Sequence, residues 1–366
     1  MTYFSDLKKI VNINSYTKNK SGVDKISHIM TQWFKELNFK VESFKRQDIG
    51  NHNLYTSSKT DGLKILLLGH NDTVFPEGKF EEFSEDSEWV YGPGVCDMKG
   101  GNIVALQALR NVFAQNRKIE NIDMLLVSDE ETGSDDSKEL TSKVAKNYDV
   151  CFVFEAAGEN LEVVTGRKGV GTFTIEIEGK ASHAGVRYAS GVNANLEAAY
   201  KLIELTKLTN LEIGTTVNVG KIEGGIGANT ISPSATLLLE LRYTKNSERD
   251  RLLEALERIT NTSYVEGTKA TLSGLIQRDV METNKSQLEL IKKIENFTNI
   301  ELPTEERGGV SDANIVASQG VTTIDGFGPF GDGDHTIKER ALKSSFKQRI
   351  ELMTKILLHH QKYKQF

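Results

Sequence analysis

Three short, continuously apolar runs constrain this chain more than any other feature: Lys64-Ile65-Leu66-Leu67-Leu68, Ile122-Asp123-Met124-Leu125-Leu126-Val127 and Asp149-Val150-Cys151-Phe152-Val153-Phe154. Runs of strand length that are apolar on both faces belong in the middle of a covered sheet, as parallel strands of α/β proteins do. Each run stops at a polar signature. Gly69-His70-Asn71-Asp72-Thr73 follows the first, Asp129-Glu130-Glu131-Thr132-Gly133 the second and Glu155-Ala156 the third. Two further signatures, Cys96-Asp97-Met98-Lys99-Gly100-Gly101 and Asp334-His335-Thr336, adjoin glycine-rich turns.

Helical spacing fills the intervals. Val23, Ile26, Ile29, Met30, Trp33, Phe34 and Leu37 recur on one helical face, and helices are expected over residues 99–114 and 137–147. Near residue 168 the rhythm changes, because Thr172-Phe173-Thr174-Ile175-Glu176-Ile177-Glu178 alternates like a half-exposed strand. A helix over 191–208, strands over 215–223 and 234–243, a helix over 246–260 and a strand over 269–276 complete a β-α-β-β-α-β unit. Helical patterns near 286–298, 312–319 and 338–359, with a late strand at Val321-Thr322-Thr323-Ile324, return to the first layout. At 366 residues the chain exceeds the roughly 250–300 at which one core stops growing. The expectation is an α/β domain with a mainly parallel sheet flanked by helices (1–167 and 278–366), interrupted by an inserted α+β, ferredoxin-like domain (168–277).

Composition removes some functions. A net charge of −6, with no basic stripe, argues against nucleic acid as a partner. No segment approaches the ~20 apolar residues of a membrane span, and the first residues lack the apolar run of a signal peptide, so the reading is cytoplasmic. Cys96 and Cys151 are too few for a disulfide framework; they read as small buried hydrophobes, with a soft metal ligand or redox gate as the alternative.

The signatures converge. His70, Glu130, Glu131 and Glu155 directly follow apolar strands and should gather along the carboxyl edge of one sheet, where open α/β sheets build their sites. Singly, each has an ordinary reading: Asp72 as turn chemistry, Asp97 as a helix cap, Glu130-Glu131 as a solvated acidic pair, His335 as a surface-loop residue. Glu155, ending an apolar run, favours a cation partner because a bare carboxylate there costs desolvation. Jointly they suit a two-metal site. Asp72 is placed to accept the free ring N–H of His70, and of the adjacent glutamates one can bind metal while the other takes a proton from water that zinc makes acidic. Three ligand carboxylates, Asp97, Glu131 and Glu155, against two dications leave about +1, which a hydroxide would neutralise. Zinc suits mixed nitrogen and carboxylate donors, with cobalt or manganese as substitutes.

The set Gly69-His70-Asn71-Asp72-Thr73-Val74, Gly92-Pro93-Gly94-Val95-Cys96-Asp97-Met98-Lys99-Gly100-Gly101 and Ser128-Asp129-Glu130-Glu131-Thr132-Gly133-Ser134 resembles the zinc-dependent exopeptidase and amidohydrolase family of glutamate carboxypeptidase, acetylornithine deacetylase, succinyl-diaminopimelate desuccinylase and aminoacylase. Gly308-Gly309-Val310-Ser311-Asp312-Ala313-Asn314 and Asp325-Gly326-Phe327-Gly328-Pro329 look most like the glutamate carboxypeptidase branch. The resemblance implies that His70 and Glu155 hold one zinc, Glu131 and His335 the other, and that Asp97 bridges them. It makes Glu130 the general base and Asp72 the support of His70. In Ala181-Ser182-His183-Ala184-Gly185, His183 matches the histidine that stabilises the oxyanion, often from a partner subunit, which implies a homodimer through an inserted lid and dimerisation domain. Asn229 resembles a substrate-contact position. Arg278, at the return to the first domain, corresponds to an arginine for the substrate carboxylate, with a surface arginine as the alternative. Ala156 stands where the family usually has proline.

The expected activity is hydrolysis of an amide bond next to a C-terminal free carboxylate, in a small peptide or N-acyl amino acid. Its rivals are an N-acyl amino acid deacylase of the acetylornithine deacetylase or desuccinylase type, and a non-catalytic metal- or peptide-binding protein. The last need not keep Glu130 beside Glu131.

Overall fold

The computed structural model describes residues 2–366. The chain divides into two units. One comprises the chain up to Thr165 with Thr283–Arg307 and Ser311–Phe366; the other comprises Gly166–Glu282 and Gly308–Val310.

The first unit is built on a six-stranded sheet in the order Lys40–Phe44, His52–Thr56, Ile122–Val127, Ile65–His70, Val150–Val153 and Thr322–Ile324. The three apolar runs lie side by side in parallel at its centre, with His70 level with Val127 and Leu68 level with Val153. Every residue of these three strands is buried, which is why they carry no polar alternation. The sequence gives no clear sign of the two antiparallel strands at the edge, of which Lys40–Phe44 is largely exposed. The helices Lys99–Asn116 and Lys343–Tyr363 pack on each other, and Leu106, Leu109, Met353 and Leu357 join one core with Leu67, Phe152 and Ile324.

The helix expected over 338–359 begins only at Lys343. Arg340–Leu342 instead pairs with Trp89–Tyr91 in a four-stranded antiparallel sheet that also takes in Ser84–Glu85 and Gly331–Asp332. Burial of Val90 and Ala341 on that ladder outweighs the helical preference of two or three residues.

In the second unit the antiparallel strands run in the order Thr216–Gly224, Ser234–Tyr243, Gly169–Glu178 and Lys269–Arg278. Ile175, Ile177, Leu237, Leu239 and Leu241 point to one face and form a separate core with Ala198 and Leu205 of the helix Ala194–Thr206 and Leu252, Leu256 and Ile259 of Asn246–Asn261. Arg278, expected at the return to the first domain, is the last residue of a strand in this unit. A register shift between Ile276 and Arg278 sets it opposite Val170.

Candidate metal centre

His70 ends its strand with its ring buried. Nε2 lies 3.1 Å from Asp97 Oδ1 and 3.7 Å from Glu155 Oε1. Nδ1 faces Asp72, 3.1 Å from its backbone carbonyl and 3.3 Å from its carboxylate. A proton on Nδ1 therefore has two acceptors on one residue and leaves the Nε2 lone pair for a cation. Asp72 is itself anchored, because the Thr17 hydroxyl and the backbone N–H of Glu131 both donate to Oδ2 (2.7 and 3.2 Å). Asn102 Nδ2 donates to the His70 carbonyl (2.7 Å) and fixes the strand end.

Asp97 sits in the turn before the helix Lys99–Asn116. It does not cap that helix, whose N-cap is Met98. Its carboxylate spans two partners, Oδ1 toward His70 and Oδ2 3.4 Å from His335 Nε2. Glu130 and Glu131 form a single helical turn after Ile122–Val127. Glu131 Oε2 lies 3.1 Å from His335 Nε2, so His335, itself 57% exposed, is held from two sides. Glu155 follows Val150–Val153, and its carbonyl accepts the N–H of Gly328 (2.8 Å). A side chain at Gly328 would put Cβ 2.6 Å from that carbonyl, so glycine is needed for the approach.

The result is two groups that share one residue: His70, Asp97 and Glu155, and Asp97, Glu131 and His335, each with ligand atoms within 4.8 Å of one another. Glu130 belongs to neither. His183, Asn229 and Arg278 lie in the second unit. There the Ala184 N–H donates to the Asn229 carbonyl (2.9 Å), and His183 Nδ1 accepts from the Gly185 N–H (3.1 Å). Both His183 and Asn229 are exposed, whereas Arg278 is buried and not the surface arginine of the alternative reading.

The protonation pattern shows how crowded with negative charge the first-unit site is. Burial pushes Glu130 and Glu155 well above the usual carboxylate range and Glu131 to about 7, and neighbouring Asp97 adds to each shift. Burial works against charge on Asp97 as well, but its bonds to His335 and His70 prevail and hold it low. Burial likewise opposes a charged His70, yet Asp72, Asp97 and Glu155 together lift it well above the imidazole range, and bonds to Asp97 and Glu131 lift His335 to about 11. These are carboxylates that must take up protons or positive charge. Two imidazole nitrogens and three carboxylates at this spacing are a donor set that divalent transition-metal ions fit.

Further residues support the site, and of these Glu339 and Thr17 carry no sequence signal of their own. Glu339 is buried and accepts backbone N–H bonds from Gly94, Cys96 and Asp97. Thr17 reaches Asp72 from 55 residues away. Buried Asp312 accepts from the Ser134 hydroxyl (2.6 Å), and its charge helps to raise Glu130. Cys96 and Cys151 are buried thiols, as the bland reading expected.

The chain matches the profile of peptidase family M20/M25/M40 over residues 66–359. It is 28% identical over 363 residues to carboxypeptidase G2 of Pseudomonas sp. (strain RS-16), covering 96% of this chain and 88% of that protein. Acetylornithine deacetylase of Vibrio atlanticus (strain LGP32) is 29% identical over 237 residues, 60% of this chain and 61% of that one. Among solved structures, a tripeptidase from Staphylococcus aureus subsp. aureus mu50 superposes with a TM-score of 0.83 at 23% identity, covering 98% of each chain. With the family match spanning most of its length, the chain belongs to peptidase family M20/M25/M40 and is a hydrolase.

Proposed function

We propose that this protein is a dinuclear-metal, carboxypeptidase-like hydrolase that cleaves the amide bond beside a C-terminal free carboxylate in a small peptide or N-acyl amino acid. One observation carries the reading. Asp97 turns its two oxygens toward two different histidines, while Glu130 adjoins ligand-type Glu131 without joining either group. In this reading His70 and Glu155 hold one ion, Glu131 and His335 the other, and Asp97 both; zinc is the ion best suited, with cobalt or manganese as substitutes. Such ions polarise the scissile carbonyl and make water acidic near neutral pH. Glu130 takes the proton from the attacking water and passes it to the leaving amine, a task that suits a carboxyl whose pKa burial has raised. Asp72 holds the His70 ring in the tautomer that presents Nε2.

The remaining roles are those that the family resemblance implies. His183 steadies the oxyanion, Asn229 contacts the substrate and Arg278 receives its carboxylate by the planar fork of its guanidinium. Pairing into a homodimer fits the exposed row Leu196, Tyr200 and Ile203 on one face of the helix Ala194–Thr206. Action on small substrates in the cytoplasm completes the reading. No helix among the described residues is long and apolar enough to cross a membrane.

The test is an assay of the zinc-loaded protein on a panel of N-acyl amino acids and C-terminally varied dipeptides. The expected result is turnover that requires a free carboxylate on the leaving side and falls when Arg278 is replaced by Gln. Equal turnover of substrates with that carboxylate amidated would sink the carboxylate requirement and the Arg278 assignment with it.

A further inference from the structure

Asp97 bears the heaviest geometric demand in the site, since one carboxylate faces both ligand groups. A small rotation of its backbone would misplace it in both. The turn that carries it is soft by composition: Gly92 and Gly94 hold φ of 144° and 82°, a region open mainly to glycine. The following helix does not steady it, because the N-cap Met98 makes no side-chain cap bond. Something outside the turn must hold it.

That hold is Glu339. Its side chain is buried, Oε2 accepts the Gly94 N–H (3.0 Å), and Oε1 accepts the N–H groups of Cys96 and Asp97 (2.9 and 3.1 Å). The main chain adds to it, for the Gly92 N–H donates to the Glu339 carbonyl (3.3 Å). The Glu339 N–H in turn donates to the Thr336 carbonyl (3.1 Å), closing the turn that starts just after His335. One residue thus ties the Asp97 turn to the His335 turn. Lys99, in the first turn of the helix that follows, is buried with its Nζ donating to the Ile13 carbonyl (3.1 Å).

We propose that Glu339 is a positioning residue that fixes the backbone of Asp97 relative to the His335 turn, so that Asp97, Glu131 and His335 are assembled before any ion arrives. The proposal rests on the ligand assignment above. Its chemistry calls for a carboxylate: three N–H donors need acceptors only. Glutamine would turn an NH2 group toward one of them, and aspartate is a methylene too short to reach all three.

The experiment begins with the unaltered full-length protein after chelation, measuring hydrogen exchange at the Cys96 and Asp97 amides, and continues with zinc titration against a competing chelator. We expect both amides to exchange slowly already without metal and two equivalents of zinc to bind. E339Q should weaken the zinc equivalent held by Asp97, Glu131 and His335 by about 10- to 100-fold, the usual cost of losing a partner of a ligand. Its kcat should fall while KM holds. A purely structural role would lower the melting temperature of E339Q and leave zinc affinity per folded molecule unchanged, which overturns the proposal. Fast exchange of the two amides in the metal-free wild type overturns it as well, and that measurement stands even if E339Q does not fold. Wild-type protein that binds fewer than two ions overturns the ligand assignment itself, and this proposal with it.

Discussion

In the second unit the buried ammonium of Lys201 meets Glu197 at 2.9 Å and donates to the carbonyls of Ile259, Thr260 and Thr262, while Glu197 accepts the N–H groups of Tyr264 and Val265. In the first unit the buried carboxylates at the sheet edge outnumber the side-chain cations that face them. Among the described residues His70 and His335 are the cations set against Asp97, Glu131 and Glu155, and burial drives Glu131 and Glu155 toward protonation. Both are costly concentrations of charge in a low dielectric. The Lys201 cluster is closed in charge: one ammonium faces one carboxylate, and the ammonium caps the end of the helix Asn246–Asn261. The sheet-edge cluster is not balanced in this way, since its three carboxylates face two imidazoles. Buried charge that completes itself is architecture, and buried charge that waits for a counter-ion is a site.

The contrast can be broken most sharply at Glu130. E130Q keeps size and shape but cannot take a proton, so kcat should drop by about 10²- to 10⁴-fold, the usual worth of a general base. Zinc stoichiometry should remain at wild-type level, because Glu130 stands outside both ligand groups. Comparable turnover in E130Q would sink the assignment. At the closed cluster the expected response is the reverse. K201M strands the Glu197 carboxylate without its cation and should cost about 3–5 kcal/mol in the stability of the second unit, read by denaturant unfolding. K201M combined with E197Q should recover part of that loss, and zinc affinity should stay unchanged in both. A shift in zinc affinity in K201M would mean that the two clusters are not separate.

Much of this division is legible in the residues alone. Ile122–Val127 runs as a strand from end to end, because six apolar or buried positions between turn residues leave little alternative. The β-α-β-β-α-β order of the second unit follows from strands that alternate and helices that do not. The ligand-type residues were readable because strand ends in a parallel sheet lie side by side. What could not be read was contact between distant turns. Glu339 reads as one more charged residue at the start of the helix expected over 338–359, and its hydrogen bond to the Asp97 N–H spans 242 positions. The strands Ser84–Glu85 and Gly331–Asp332 are two residues each, too short for any period to show. Arg278 reads as the first residue after the inserted domain (168–277), whereas the unit runs on to Glu282, because the register shift that carries the strand on leaves no trace in the sequence pattern.

Metal removal sharpens the comparison at the level of whole units. Ions that bind only the folded site stabilise it by about 2.7 kcal/mol when present at a hundredfold excess over Kd. Chelation should therefore speed hydrogen exchange at the ends of Ile65–His70 and Val150–Val153, and leave the strands Gly169–Glu178 and Ser234–Tyr243 as slow as before. Equal loss of protection in both units would show that the ions hold the entire chain together and do not serve one sheet edge.

The smallest effect, and the finest test of what makes the first cluster open, lies at Asp72. Its carboxylate touches no proposed ion; it lies beside His70 Nδ1 and receives bonds from Thr17 and from the Glu131 backbone. D72N keeps the side chain's volume and can keep an oxygen toward Thr17, but it removes the negative charge that makes the imidazole a better donor at Nε2. It leaves the Asp72 backbone carbonyl, 3.1 Å from Nδ1, in place as the second acceptor. Zinc affinity should therefore fall by about tenfold, the low end of the range for such partners, and only at the equivalent held by His70, Asp97 and Glu155. If D72N instead weakens both equivalents alike, then the bond from the Glu131 N–H to Asp72 matters as much as the imidazole contact, and the two ligand groups are coupled through Asp72 as well as through Asp97. If it weakens neither, the backbone carbonyl alone orients His70 and the carboxylate belongs with the closed, architectural kind of buried charge.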